Sequence, residues 1–359
     1  MRIFSQKLTL KIIKATCLLL IITIKYKGVI NMNIKKIGLT ALAASLVSVS
    51  ANAGSMSVSG GASMNITGHT GEGRNVGSSF SMGNQLTFSG SGELDNGLNV
   101  SLSFVLDQGD DTSNASTNSP FDSHSVKVSS DGMGSLTLNG EGGTTASGAI
   151  AGTAAGNLWD SFDGLGTLNG VSFAVDLLTT VSAGNNSFMY TSPELAEGLT
   201  LVGSYQPQGT NRESATGVGI NYTGFDGLTI NYANTDMVST TTALSGDNEV
   251  LKVSYVYGSF TGTYSNLEHS TGTTASNSES SSYAVSYTVS DELSVTYGSE
   301  THESGTASDQ DAEIDGISFA YTTGGMTLSG SMKDGKNLSY TTATVEDREQ
   351  WTLGASFAF

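Results

Sequence analysis

The residues that could carry out chemistry are few and are poorly spaced for catalysis. The four histidines, His69, His124, His269 and His302, lie far apart in predicted loops or at a strand end, and none has an Asp or Ser at a spacing typical of a catalytic triad. The one cysteine, Cys17, lies near the start of the chain, so neither a thiolate nucleophile nor a Cys–His metal site is indicated beyond it. We therefore predict that the protein is not an enzyme.

Carboxylates are the remaining candidates for ligand binding. Asp107, Asp110 and Asp111 cluster in one predicted loop, and oxygen ligands at this density suit Ca²⁺. The alternative is an ordinary solvated acidic loop. We predict no cofactor and no metal site, with calcium at these three residues left open.

The charge of the chain is strongly negative and unevenly distributed. Acidic residues number 33 against 15 basic ones, and residues 1–53 hold eight of the basic residues and no acidic ones. The remainder would repel a phosphate backbone, which argues against nucleic-acid binding. With 45 glycines and abundant Ser and Thr, a helical or α/β enzyme is also disfavoured.

The N-terminal region reads as a secretion signal. After Met32 come a basic segment, an apolar segment at 37–49 and an Ala51-Asn52-Ala53 cleavage motif before Gly54. We predict a signal peptide at 32–53 and an upstream extension at 1–31 that results from a misassigned start; an unusually long leader is the alternative. No later run of 18 apolar residues occurs, so a membrane could be entered only by strands.

Alternation of apolar and polar residues dominates the rest of the chain. Leu98, Val100, Leu102 and Phe104 share one face, for example, and short turns alternate with long polar connections such as 107–120, 234–247, 269–280 and 302–313. The pattern predicts sixteen strands at 55–67, 79–92, 98–108, 121–129, 135–143, 185–192, 199–206, 214–223, 227–234, 248–258, 259–267, 281–290, 292–300, 314–322, 326–333 and 347–359.

These strands favour an all-β, transmembrane antiparallel β-barrel, since a meander can span lipid only by closing on itself. A barrel of sixteen strands is too wide to fill with side chains and leaves a water channel. A soluble β-sandwich or β-solenoid is the rival, but the chain lacks the fixed short repeat of a solenoid.

The C-terminal nonapeptide resembles the last strand of Gram-negative outer-membrane proteins, which ends in Phe with another aromatic residue two positions earlier. Here Trp351, Phe357 and Phe359 form this signature, which the barrel-assembly machinery is understood to recognise. Residues 81–85, 90–98 and 190–195 are similar to segments of the general porins, particularly those of alphaproteobacteria. This resemblance covers essentially all of residues 54–359.

The resemblance implies a trimeric, sixteen-stranded channel with short periplasmic turns and long extracellular loops. It also implies that the third long loop, here 144–184, folds inward and narrows the pore. Glu141, Asp160, Asp163 and Asp176 would then provide the negative side of the constriction. An ordinary exposed acidic loop, or a further strand at 171–175, is the alternative.

The resemblance further implies a basic cluster on the wall that faces this loop. Alternation turns Lys127, Lys252, Lys333 and Arg348 toward the lumen, where a charge costs less than on the lipid side. Because acidic residues far outnumber basic ones, we predict a pore that prefers cations.

The predicted function is passive diffusion of ions and small hydrophilic solutes through a water-filled outer-membrane channel. A substrate-preferring channel is the alternative, and an adhesive or enzymatic barrel is a weaker one. The predicted partners are membrane lipid and lipopolysaccharide, the barrel-assembly machinery and, in a homotrimer, two further copies of the chain. Gly60, Ala62 and Ala355, small residues on outward faces, would allow subunits to pack closely.

Overall fold

The computed structural model describes residues 54–70, 78–107, 122–162, 186–207, 214–239, 245–306, 308–338, 340 and 347–359. The predicted signal peptide, with Ala51 and Ala53 of its cleavage motif, lies outside the described residues. None of the helices in the described ranges is long and apolar enough to cross a membrane.

Sixteen antiparallel strands form a single closed barrel, which confirms the predicted fold class and strand number. In chain order, β1 to β16 are Ser55–Thr70, Ser78–Glu93, Asn99–Asp107, Ser123–Ser130, Gly134–Glu141, Ser187–Thr191, Leu199–Gln206, Ser214–Phe225, Leu228–Val238, Gly246–Tyr257, Phe260–Thr271, Ser278–Thr288, Leu293–Ser304, Ala312–Thr323, Met326–Lys336 and Arg348–Ala358.

The barrel closes through pairing between its first and last strands. β1 and β16 are antiparallel, with Asn65 opposite Gly354 at the middle of the ladder. At the end of the ladder, the Gly60 amide donates to the Phe359 carbonyl at 2.7 Å and the Phe359 amide donates back at 3.0 Å. Neither terminal strand therefore has an unpaired edge along this ladder.

Alternation places large apolar side chains on the outer face. Met332, Val218 and Tyr257 are 68%, 63% and 74% exposed on the isolated chain, as expected of side chains that face lipid. The inner face is mainly Ser, Thr, Asn and Gln, and hydroxyls bond across strands, for example Ser286 to Thr296 at 2.8 Å. The outer face is therefore suited to contact with lipid and the inner face to contact with water.

Several strands extend further into the predicted loops than alternation indicated. β11 runs to Thr271 and β13 to Ser304, so His269 and His302 lie in strands, as does His69 in β1. All three were predicted in loops. The strands continue because backbone pairing does not require alternation, and both faces are polar at these ends.

We expect that deleting residues 351–359 prevents closure, because β1 and β15 would each expose an unpaired edge to lipid or detergent. The refolded variant should lack the heat-modifiable, fast-migrating form on a detergent gel. Trp351→Phe, which keeps the backbone ladder, is the control and should retain that form. A deletion variant that still shows it would contradict the closure described here.

Candidate functional site

The segment that follows β5 lies inside the barrel. We call residues 144–162, the described part of the predicted 144–184 loop, the inner loop. Its Ala146 amide donates to the Ser204 hydroxyl at 2.8 Å, and its Ser147 hydroxyl donates to Thr235 Oγ1 at 2.8 Å. Ser204 and Thr235 share a face with Gly217 of β8, and the neighbouring Tyr205 and Val218 are exposed on the opposite face, so the face that the loop contacts is the lumen face.

The inner loop then follows the wall strand by strand. Lys252 of β10 donates to the Gly152 carbonyl at 2.7 Å, and the Ala154 amide donates to both the Ser265 and Ser282 hydroxyls of β11 and β12, at 2.8 and 2.7 Å. On β16, Gln350 Nε2 donates to the Ser161 carbonyl at 2.7 Å. We call the lumen face of β7–β16 at this level the covered wall.

Glycines on the covered wall make room for the loop. A Cβ at Gly217 would lie 3.0 Å from the Ala146 Cβ, and one at Gly298 would lie 2.6 Å from the Ala155 Cβ. A Cβ at Gly316 would lie 2.9 Å from Leu158. Three inward glycines on three different strands thus mark the path of the loop.

Glu300 of β13 is the main polar anchor. Its side chain is fully buried, and its carboxylate accepts hydrogen bonds from the Leu158 amide at 2.8 Å, the Trp159 amide at 3.1 Å and the Thr153 hydroxyl. His302 Nε2 lies 3.2 Å from the same carboxylate. A buried carboxylate is tolerated only with such partners, and here most of them come from the loop.

The turn that presents these donors is built by local bonds. Thr153 and Asn157 bond reciprocally: the Thr153 amide donates to Asn157 Oδ1 at 2.8 Å and the Asn157 amide donates to Thr153 Oγ1 at 2.7 Å. Gly156 and Asn157 have φ of 85° and 57°, a conformation that Gly and Asn tolerate best. The Leu158 and Trp159 amides are consequently directed at Glu300.

An apolar contact completes the docking. Leu158 and Phe162 of the loop are buried against Ile314 of β14 and Leu338, with Trp159 packed at the edge of this cluster. Burial of an apolar side chain of this size contributes about 1.5–3 kcal/mol. The loop is therefore held by both polar and apolar contacts to the wall.

The predicted basic residues occupy two different environments. Lys252 and Lys333 both reach the inner loop, the latter through the Ser161 hydroxyl. Arg348 is largely buried on the same wall and shares the inward face of β16 with Gln350. Lys127 lies on β4, on the other side of the lumen, and is exposed. The four do not form a single cluster.

The predicted acidic residues are only partly described. Asp160 is exposed on the inner loop. Glu141 lies at a β-bulge at the end of β5, with its carboxylate 3.8 Å from His124 Nδ1. Asp107 ends β3, and no group of three or more potential metal ligands occurs within the described ranges. Asp163, Asp176, Asp110 and Asp111 lie outside the described residues.

Glu300 and His302 were not identified from the sequence as parts of the site. One signal in the sequence could have indicated Glu300. It lies two positions after Gly298 on the inward face of β13, opposite the lumen-facing Ser282 and Ile314 of the neighbouring strands. Geometrically, the site is a lumen bounded by the inner loop on one side and by the inward face of β1–β6 on the other. Such an arrangement can restrict passage by size and charge.

Comparison with known proteins agrees with this architecture. The family described as Gram-negative porin matches residues 38–359. Among solved structures, a variant of the Rh. blastica porin is 16% identical with a TM-score of 0.58, and the anion-selective porin from Comamonas acidovorans is 17% identical with a TM-score of 0.57. Each match covers 85% of this chain and 100% of the other. No curated protein sequence matches the chain.

We expect that Glu300→Gln loosens the inner loop, because an amide presents one acceptor and one donor where the loop presents only donors. The loss should be about 1–3 kcal/mol of docking free energy. Single-channel recording should show a larger conductance with more open-channel noise.

Glu303→Gln is the matched control, since Glu303 lies on the same strand but faces outward and is exposed. At about 1 M salt, where the field of an exposed charge is screened, it should leave both properties unchanged. If folded Glu300→Gln conducts like the parent protein with the same noise, Glu300 does not hold the loop.

Proposed function

Because this chain belongs to the Gram-negative porin family, whose members are outer-membrane channels for passive diffusion, we propose that it conducts ions and small hydrophilic solutes through a lumen narrowed by the inner loop. The observation that carries this proposal is the docking of residues 144–162 against the inside of the barrel. Solutes would move down their gradients without catalytic turnover, since the lumen holds no constellation that activates a nucleophile among the described residues.

A substrate-preferring channel is the second candidate, and it would use the same lumen. The inner loop favours it modestly, because a loop fixed by several hydrogen bonds can present a defined surface to a solute. Adhesion through the extracellular loops has no comparable support. Calcium binding at Asp107, Asp110 and Asp111 stays a prediction, as does membership of the alphaproteobacterial type.

We propose a homotrimer whose contacts extend from the small outward residues Gly60, Ala62 and Ala355 of β1 and β16 to the sector from β3 to β7. These strands have five to nine residues, whereas the other strands have eleven or more. A strand needs about 9–11 residues to cross the hydrocarbon core. A neighbouring subunit would cover these short strands in place of lipid.

The rest of the wall carries a band of carboxylates that we call the acidic collar. These residues face outward at the loop end of β9–β16, and some oppose each other directly, as in the rows Glu249–Glu268–Glu279–Glu303 and Asp315–Asp334–Glu349. Like charges in register repel. Divalent cations shared with lipopolysaccharide phosphates would offset this repulsion, so we propose that the collar marks the lipid-facing sector. Its members are Asp236, Asp247, Glu249, Glu268, Glu279, Glu303, Glu313, Asp315, Asp334 and Glu349.

The proposal predicts discrete ohmic current steps when refolded residues 54–359 are inserted into a planar bilayer. Steps that occur in groups of three would support the trimer, and mild crosslinking in detergent that gives only monomers would argue against it. Protein that is folded and inserted but carries no current would reject the open channel.

The predicted cation preference should depend on salt. The acidic collar lies outside the lumen, so its field reaches the pore mouth only where screening is weak. In a salt gradient centred near about 0.05 M, the reversal potential should favour cations, and near about 1 M the preference should shrink toward none. Anion preference at low salt would contradict the proposal.

A further inference from the structure

The outer face of the barrel carries an indentation near the loop ends of β13–β16 and β1. Its volume is about 430 Å³. The floor is formed by Ile317, Met332 and Trp351, which face outward and are 51%, 68% and 40% exposed. The Trp351 ring lies across Gly68 of β1, where a Cβ would collide with it. The floor is therefore continuous with the apolar face that meets lipid.

Three members of the acidic collar line the loop side of this indentation, and we call them the rim carboxylates. Asp315, Asp334 and Glu349 lie opposite one another on β14, β15 and β16, and each is two positions from a floor residue on its own strand. On β11 and β12, by contrast, polar Asn266 and Ser281 separate the collar from the apolar band. The rim carboxylates thus lie closer to the apolar face than the collar carboxylates of β11 and β12.

The described contacts provide the rim carboxylates with little positive charge. The hydroxyl groups of Tyr297 and Thr70 donate to two of them at 2.8 Å, but both donors are neutral. Lys336 is the one basic residue on the outward face of the described strands, and it lies opposite Glu313 and two positions from Asp334. Like charges side by side repel, and a neighbouring apolar surface weakens the screening of that repulsion. The rim therefore favours a cationic ligand.

The apolar floor favours an organic cation over a metal ion. A divalent cation is bound by oxygen ligands and gains nothing from an apolar surface. Within the described ranges, no group of three or more potential metal ligands is placed to hold a metal ion. An ammonium group joined to an apolar chain, in contrast, would use both the rim and the floor.

The aromatic residues of the indentation indicate that this ligand comes from the membrane. Trp and Tyr are typical of the membrane–water interface, where the headgroups of membrane amphiphiles lie, and Trp351 and Tyr297 both line the indentation. Their rings also attract a cation within about 6 Å. A ligand that enters from the membrane would place its chain along the floor and its headgroup at the rim.

We propose that the indentation binds a membrane amphiphile with an ammonium headgroup, which would lie among the rim carboxylates while the apolar chain packs against Ile317, Met332 and Trp351. The site lies outside the lumen, so the proposal does not depend on conduction through the channel. At these three carboxylates the ammonium takes the place of the divalent cations that we propose for the rest of the acidic collar.

Trp351 provides a direct reporter of this site. Residues 54–359 contain two tryptophans, Trp159 and Trp351, so Trp159→Phe leaves a single fluorophore in the floor. This variant is reconstituted in phosphatidylcholine vesicles with EDTA, and 9,10-dibromostearylamine or 9,10-dibromostearyl alcohol is added, because bromine quenches tryptophan by contact. The amine should reach half-maximal quenching at a mole fraction about threefold or more below that of the alcohol. Equal quenching by the two probes would overturn the proposal.

Neutralising the rim tests whether its carboxylates cause this preference. The combined variant Asp315→Asn, Asp334→Asn and Glu349→Gln, made in the Trp159→Phe protein, should bring the two mole fractions to within about twofold of each other. A preference for the amine that survives in this folded variant would show that the rim does not bind the ammonium.

The matched control removes three carboxylates from the other row of the acidic collar. Glu249→Gln, Glu268→Gln and Glu279→Gln together change the charge by the same amount but do not line the indentation. This variant should keep the preference for the amine. If it loses the preference as fully as the rim variant does, the attraction comes from the collar as a whole and the site is rejected.

A further arm tests for phosphate bound through divalent cations. With Mg²⁺ in place of EDTA, brominated phosphatidylglycerol should quench Trp351 no more than the alcohol does. Stronger quenching by this anionic lipid than by the amine would show that the rim takes a phosphate through Mg²⁺, and it would overturn the ammonium site.

Discussion

Every backbone amide and carbonyl in the hydrocarbon core must find a partner within the protein, and the rest of the structure depends on this constraint. It requires β1 to pair with β16, as it does from Gly61 to Thr70. Closure by sixteen strands leaves a lumen too wide for side chains to fill. Alternation then assigns one face of each strand to lipid and the other to water.

A segment inside that lumen meets a second form of the same constraint, because its own backbone groups lose contact with bulk water. Side chains of the covered wall satisfy these groups by accepting hydrogen bonds from the amides of the inner loop. They are Ser204, Ser265, Ser282 and Glu300. Inward glycines allow the close approach. The covered wall is thus adapted to hold the inner loop of the same chain.

The number of strands and their two faces could be predicted from the sequence, because alternation such as Leu251, Val253 and Tyr255 reports directly on the lipid face. The ends of the strands could not be predicted. At Glu268 and His269 both faces are polar, so the strand continues without a periodic signal. The docking of the loop on Glu300 also escaped prediction, since it joins residues about 140 positions apart through geometry that no local pattern encodes.

The narrowing of the lumen depends on the docking of the inner loop against the inward face of β7–β16. The most direct test is the reaction of single cysteines with a small water-soluble thiol reagent in the folded barrel, since residues 54–359 contain no cysteine of their own. We expect Ser103→Cys to react rapidly and its modification to lower the conductance, while Ser282→Cys, buried beneath the Ala154 amide, is protected. Equal reactivity at the two positions would contradict it.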